Sequence, residues 1–234
     1  MDWGRRALRA GALLCLAGAS SLASLTAFAD PAAVARVVKV DFAGQSFSSD
    51  VKRVAEWAAE SGDMQGKPFA VVDKKQAQIY VFDASGRLVG TSPTLLGLAK
   101  GDDSAPGVAS KISTGIPLAE RTTPAGRFES QPGHNLKGEA IVWVDYSAAV
   151  AIHRLRPAPA AERRPQRLAS ADPDERRISL GCIVVPPEFY DTVVAPTLGT
   201  QHGVVYVLPE SAGADYVFNG GGGANRQTLL TTRS

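Results

Sequence analysis

The stretch Arg177-Ile178-Ser179-Leu180-Gly181-Cys182-Ile183-Val184-Val185-Pro186 sets a glycine and a cysteine directly ahead of a β-branched apolar run. Ile183, Val184 and Val185 read as a short buried strand, and Gly181 as a point where the backbone turns sharply or approaches another group closely. A thiol at the mouth of such a strand is positioned by its backbone, which filling a core would not require. What the rest of the chain adds to Cys182 decides between a reactive thiol and an inert one.

The first addition is a compartment. Residues 1–29 have a basic start with Arg5, Arg6 and Arg9, an apolar run from Ala10 through Leu25, and the small-residue site Ala27-Phe28-Ala29. This is the pattern of a secretory signal peptide, with cleavage expected before Asp30. Gly11, Gly18, Ser20, Ser21 and Ser24 interrupt the run and weaken it as a spanning helix, so no stable membrane insertion is expected after cleavage. The pair Arg5-Arg6 fits either general or twin-arginine export.

Cleavage removes Cys15, one of the 2 cysteines, and leaves Cys182 without an intramolecular partner. An unpaired cysteine in an exported protein is a reactive thiol or forms an intermolecular bond; catalytic nucleophile and inert buried cysteine both stay open on this ground alone. Losing Arg5, Arg6, Arg9 and Asp2 from 25 basic and 23 acidic residues leaves 22 of each, so the mature chain is formally neutral. No stripe of Lys and Arg interleaves with aromatic residues, which argues against nucleic acid as a partner.

The mature chain is long enough for one domain with a substantial core. Residues 30–66 are expected to form an N-terminal extension with one amphipathic helix. Ser49 and Asp50 offer its N-cap, Val51, Val54, Ala55, Trp57 and Ala58 its apolar face, and Ser61-Gly62-Asp63 its end.

From Phe69 the period changes. Phe69–Val72, Ala77–Phe82 and Arg87–Ser92 read as three strands of an antiparallel meander, joined at Asp73–Gln76 and Asp83–Gly86. Residues 97–111 read as a long solvated loop, and Thr123-Pro124-Ala125-Gly126 as a β-turn leading to a strand at Arg127-Phe128. A polar loop is expected over Gln131–Gly138, and strands over Ile141–Tyr146 and Ala149–His153. Arg154–Ile178, with Pro157, Pro159, Pro165 and Pro173, reads as an extended, mobile excursion. After Cys182 come a helix from Pro186 through Val194 and a last strand at Val204–Leu208. Residues 210–234, with Gly220–Gly223, read as a Gly-rich disordered tail.

A thiolate nucleophile needs a base or a nearby positive charge, and histidine serves at neutral pH. His134 and His202 sit in turn-like sequence, whereas His153 stands where a strand meets the long excursion, a position from which a side chain faces a cleft or packs at an interface. Gly181 lets the backbone approach a substrate, and the amides near Leu180 to Cys182 suit an oxyanion. Ser179 bonds a histidine or caps the turn. Arg176 and Arg177 either hold an acidic group of the substrate or face solvent.

Together, His153 followed at a distance by Ser179-Leu180-Gly181-Cys182-Ile183 resembles the signature of the L,D-transpeptidase (YkuD-type) catalytic domain of bacterial cell-wall enzymes. The meander from Phe69, the segment Arg121-Thr122-Thr123-Pro124-Ala125-Gly126-Arg127-Phe128 and the strand ending Ala151-Ile152-His153 agree in order. The resemblance covers 67–209, the expected catalytic domain. It implies a mainly β, sandwich-like fold of mixed sheets with one or two short helices. It also implies a periplasmic or cell-wall protein acting on peptidoglycan stem peptides.

In that chemistry Cys182 attacks the amide between a diamino acid and D-alanine. D-alanine leaves, and an amine of a neighbouring stem takes the thioester. The resemblance makes His153 general base and acid, Gly181 and Cys182 a source of oxyanion donors, and Ser179 a support. Arg154 stands where a backbone carbonyl orients the imidazole, and Arg177 is the candidate substrate contact. No metal and no other cofactor is implied. Leu180 and Val184 differ from residues common in the family at those places, histidine at the first and arginine or asparagine at the second. The alternatives are an L,D-carboxypeptidase, with water as acceptor, or a non-catalytic peptidoglycan-binding protein on the same fold.

Overall fold

The computed structural model describes residues 38–218. The expected signal peptide and residues 219–234 of the expected tail lie outside the described residues. Residues 210–218, expected to be disordered with the rest of that tail, instead end in a short helix, because Ala214 and Val217 are buried against the core.

Strands β1 (Phe69–Asp73), β2 (Gln78–Phe82) and β3 (Leu88–Pro93) form the expected antiparallel meander. The sheet is completed by β5 (Gly126–His134), β6 (Ala140–Asp145), β7 (Val150–Arg154), β9 (Ile183–Val185) and β10 (Gly203–Val207). Its order is β3-β2-β1-β10-β5-β6-β7-β9, while β4 (Leu96–Gly97) and β8 (Arg177–Ser179) form a small separate pair. The pairings β1·β10, β7·β9 and β4·β8 are parallel, and the rest are antiparallel. The architecture is mainly β with mixed sheets, as expected.

Strand β5 bridges the two halves of the large sheet: Gly126–Ser130 pair with β10, and Gln131–His134 pair with β6. Residues 131–134 are therefore strand and not the polar loop expected from their composition. The solvent-exposed side chains of Gln131, Pro132 and His134 hid the strand from a hydropathy reading.

The continuous apolar runs of β1 and β10 reflect burial on both faces. Ala70, Val72, Ile79, Val81, Phe128, Ile152, Ile183, Val205 and Val207 face one core, closed by Tyr190, Val194 and Leu198. Phe69, Val71, Tyr80, Phe82, Val204 and Tyr206 face the other, which helix α1 (Ser49–Glu60) covers with Val51, Val54, Ala55 and Ala58. The α1 cap is Ser48, one residue before the expected pair; its Oγ accepts from the Val51 amide at 3.3 Å.

Helix α2 (Arg164–Ala169) and short 3₁₀ turns occupy the Arg154–Ile178 segment, which is thus partly helical and not extended throughout. Arg167 holds it together by donating to the carbonyls of Glu162 and Glu175. Arg176 ties it to the meander through the carbonyls of Gln76 and Ala77.

After β9, α3 (Pro187–Phe189), a π turn (Tyr190–Val194) and α4 (Ala195–Leu198) run on without a break, past the end expected at Val194. Pro196 has no amide to donate, and the widened turn precedes it. Helix α5 (Asp215–Phe218) closes the described chain. No described helix is long and apolar enough to cross a membrane.

Candidate active site

Parallel pairing of β7 with β9 brings the histidine to the cysteine. Ile152 pairs with Ile183, His153 with Val184 and Arg154 with Val185. One step back along this register sets Ala151 beside Cys182. Side chains alternate along a strand, so Ala151, His153, Cys182 and Val184 share one face, and all four line the same cleft. His153 and Cys182 are diagonal neighbours across the ladder, with Cα atoms about 8 Å apart from strand spacing and rise. The 28 residues between them leave from the end of β7 and return through β8.

His153 is buried, and its Nδ1 lies 2.8 Å from the Arg154 carbonyl oxygen. A carbonyl only accepts, so Nδ1 carries the proton and Nε2 presents a lone pair. The Arg154 side chain turns away to Asp191 at 2.6 Å and lies over the Tyr190 ring. Only its backbone serves the imidazole. Burial is the main force on His153 and holds its pKa down at about 4. The bond to Arg154 and the charge of Glu139 oppose this, while Arg156 and Arg164 add to it.

Cys182 is half-buried and unpaired, and its thiol donates to the Ala149 carbonyl at 3.6 Å. Burial pushes its pKa up; a backbone hydrogen bond from Ala151 and the charges of Arg156 and Arg164 pull it down. Apolar neighbours account for the burial: Cys182 packs beside Leu95, Leu168 of α2 and Val184. Val184 is 1% exposed and seats the helix of the 154–178 segment, which explains an apolar residue at that position.

Three contacts shape the turn that presents the thiol. Ser179 Oγ accepts from the Gly181 amide at 3.1 Å and donates to the Cys182 carbonyl at 2.6 Å. It therefore braces the turn and does not reach the histidine. Thr123 Oγ1 donates to the Gly181 carbonyl and accepts from the Gly97 amide, both at 2.9 Å. Gly181 has φ +134°, and a Cβ there would lie 2.9 Å from the Thr122 carbonyl oxygen. Only glycine fits comfortably.

The segment expected to be a β-turn at Thr123–Gly126 is thus a buried clip between β4 and the cysteine turn. Thr123 has no exposed surface.

Arg177 is placed away from this cleft. Its guanidinium is buried, 2.6 Å from Glu210 Oε1, and donates to the Lys74 carbonyl at 2.6 Å. The expected substrate contact is a structural ion pair, because the side chain points to the loop ends beside β1 and β10. His134 and His202 are exposed and outside the cleft lining.

The cleft has a volume of about 540 Å³. Trp143 and Ile141 of β6 form one wall and Pro157–Pro159 another; Leu136, Ile112 and Leu180 stand at the lining with exposed side chains. Gly133 makes room for Trp143, whose Cδ1 and Nε1 lie 2.5 and 2.6 Å from where a Cβ would be. Trp143, Arg156 and Arg164 were not singled out from the sequence. The many arginines of the 154–178 segment were the available signal, and nothing in the one-dimensional pattern separated these two from the others.

No protein-family model matches the chain, and no curated protein matches it. Solved structures do. The L,D-transpeptidase from Mycobacterium smegmatis is 16% identical with a TM-score of 0.34, over 60% of this chain and 58% of that one. A mutant L,D-transpeptidase from Enterococcus faecium is 16% identical with a TM-score of 0.34, over 61% of this chain and 50% of that one. The helical cell shape determining protein Pgp2 from Campylobacter jejuni is 15% identical with a TM-score of 0.41, over 70% of this chain and 58% of that one. The chain thus spans between 50% and 58% of the length of these three structures, and the likeness concerns fold alone.

Proposed function

We propose that the protein is an exported peptidoglycan L,D-transpeptidase with Cys182 as nucleophile and His153 as general base and acid. The observation that carries this reading is the fixed tautomer of His153, which leaves Nε2 with a free lone pair on a residue that lines the same cleft as Cys182.

In the proposed reaction the thiol proton passes to Nε2 as sulfur attacks the amide carbonyl between the diamino acid and D-alanine. The Gly181 amide is engaged by Ser179, so the Cys182 amide is the oxyanion donor that this turn offers. The carbon–nitrogen bond breaks, the departing amine of D-alanine takes the proton from Nε2, and a thioester remains on Cys182. An acceptor amine then attacks the thioester, its proton goes to Nε2, and the sulfur leaves and is reprotonated.

The test is incubation of the mature protein with a defined stem tetrapeptide, with mass spectrometry of the products. Release of D-alanine with cross-linked dimers is expected; D-alanine with tripeptide alone would make water the acceptor. Cys182→Ala and His153→Ala should each lower turnover by about a thousandfold or more while the fold persists. Turnover by Cys182→Ala would sink the reading.

The upward push on the Cys182 thiol, from its packing beside Leu95, Leu168 and Val184, favours a second reading as a non-catalytic peptidoglycan-binding protein. Folded protein with a reduced Cys182 thiol that binds stem peptides but turns over no tetrapeptide would select it.

A further inference from the structure

The Cys182 cleft is mostly apolar, and its lining carries four charged side chains, Lys137, Arg156, Glu162 and Arg164, three cations against one anion. Arg156 and Arg164 are braced from behind. Arg156 Nε lies 2.6 Å from Glu139 Oε2, and Arg164 meets Glu162 through its own Nε. The Glu162 carbonyl in turn accepts from Arg167 at 3.0 Å. Each guanidinium is thus held at its Nε edge, and no hydrogen bond among the described residues occupies its terminal nitrogens. Two forks with free terminal donors beside a nucleophile match a planar carboxylate. Both charges also act on the Cys182 thiol and on the His153 imidazole, where Lys137 does not figure.

We propose that Arg156 and Arg164 form a carboxylate subsite beside Cys182, through which the protein selects acyl donors with a free carboxylate next to the bond that breaks. For the identity of the donor this rests on the acyl-transfer reading above. The subsite itself is a property of the cleft.

The two claims separate in one experiment. Cys182 in the full-length protein is alkylated with iodoacetate and, in parallel, with neutral iodoacetamide. In both the sulfur–carbon bond forms and iodide leaves, and the rates are read from the Cys182 peptide by mass spectrometry. Both reagents consume the same thiolate, so the ratio of the rate constants cancels thiolate abundance and reports preference for negative charge. The ratio for the protein is expected to exceed that for N-acetylcysteinamide, at the same pH and salt, by about tenfold.

Arg156→Gln with Arg164→Gln should bring the ratio down to that of the free thiol, each single variant should fall between, and the double Lys variant should keep the preference. A ratio unchanged by the double Gln substitution overturns the subsite, even if stem peptides are turned over. A ratio that collapses in a protein with no turnover upholds the subsite and overturns the acyl-transfer reading.

Discussion

Opposed effects set the protonation of His153. Burial outweighs the stabilising bond from the Arg154 carbonyl, so the imidazole is held neutral down to about pH 4. Burial likewise favours the neutral thiol of Cys182. The resting pair is therefore thiol and imidazole, and sulfur is activated by proton transfer during attack, with no standing ion pair. The acid limb of acylation kcat/KM is then expected near pH 4, in place of the 6.5 of an ordinary histidine. A limb at 6.5 would show that His153 is not the base.

The same shift has a stability consequence. Between pH 4 and 6.5 the unfolded chain binds a proton that the folded chain refuses. Stability is full above 6.5 and is lost as pH falls towards 4. Urea unfolding of wild type and His153→Gln across this window should show the slope in wild type and its loss in the variant.

At the scale of elements, the strands were legible where burial wrote itself into hydropathy. The meander, β7 and β10 have apolar runs because one or both faces are covered. His153 was named beside Cys182 through its place at a strand exit and the family resemblance, whereas the parallel β7·β9 pairing that sets both on one face was not legible in the sequence, because nothing in either short run marks the other as its neighbour. Residues whose polar atoms point inward were harder to read. Thr123 has turn-like neighbours in Pro124 and Gly126, yet its hydroxyl links β4 to the cysteine turn, a role defined by partners 26 and 58 residues away. Likewise α2 within the 154–178 segment owes its place to Leu168 meeting Leu95 and Val184, contacts that no local pattern predicts.

Thr123 gives the prediction at this scale. Thr123→Val keeps the shape but leaves the Gly97 amide and the Gly181 carbonyl without their hydroxyl partner. It should cost about 1–3 kcal/mol, read from urea denaturation. With the turn less firmly held, Cys182 alkylation at pH 7 should slow in the still-folded variant. Stability and alkylation both at wild-type values would show that the clip is dispensable.

Across the whole molecule, distant parts of the chain converge on one buried cluster. Lys74 has no exposed surface, and its Nζ donates to the Gly101 carbonyl at 2.5 Å, Asp102 Oδ1 at 2.8 Å and the Thr123 carbonyl at 2.9 Å. Arg177 and Glu210 complete two cations and two anions, and Asp102 also accepts from the Glu210 amide and the Ser211 hydroxyl. The loop at 97–111, which its composition marks as solvated, is therefore anchored through Asp102, whose side chain is 8% exposed.

Because Thr123 joins this cluster by its carbonyl and the cysteine turn by its hydroxyl, the ends of β1 and β10 are mechanically linked to the nucleophile. Lys74→Met strips the charge from beside Asp102 and is expected to cost about 3–5 kcal/mol, because one partner of a buried pair is left behind. Lys74→Met with Asp102→Asn should recover part of that loss, since no lone buried charge then remains at the pair.

Burial alone would raise the Asp102 pKa, but the hydrogen bonds from Lys74, Ser211 and the Glu210 amide prevail and hold it down at about 2. Its stabilising contribution is complete above the ordinary value of 3.8 and is lost as pH falls through about 2. This window lies below that of His153, so unfolding measured from pH 7 to 2 should show two separate declines. His153→Gln should remove the upper decline and the Lys74→Met/Asp102→Asn pair the lower one. A lower decline that persists in the double variant would mean that carboxylates elsewhere, and not this cluster, set the acid limit of the fold.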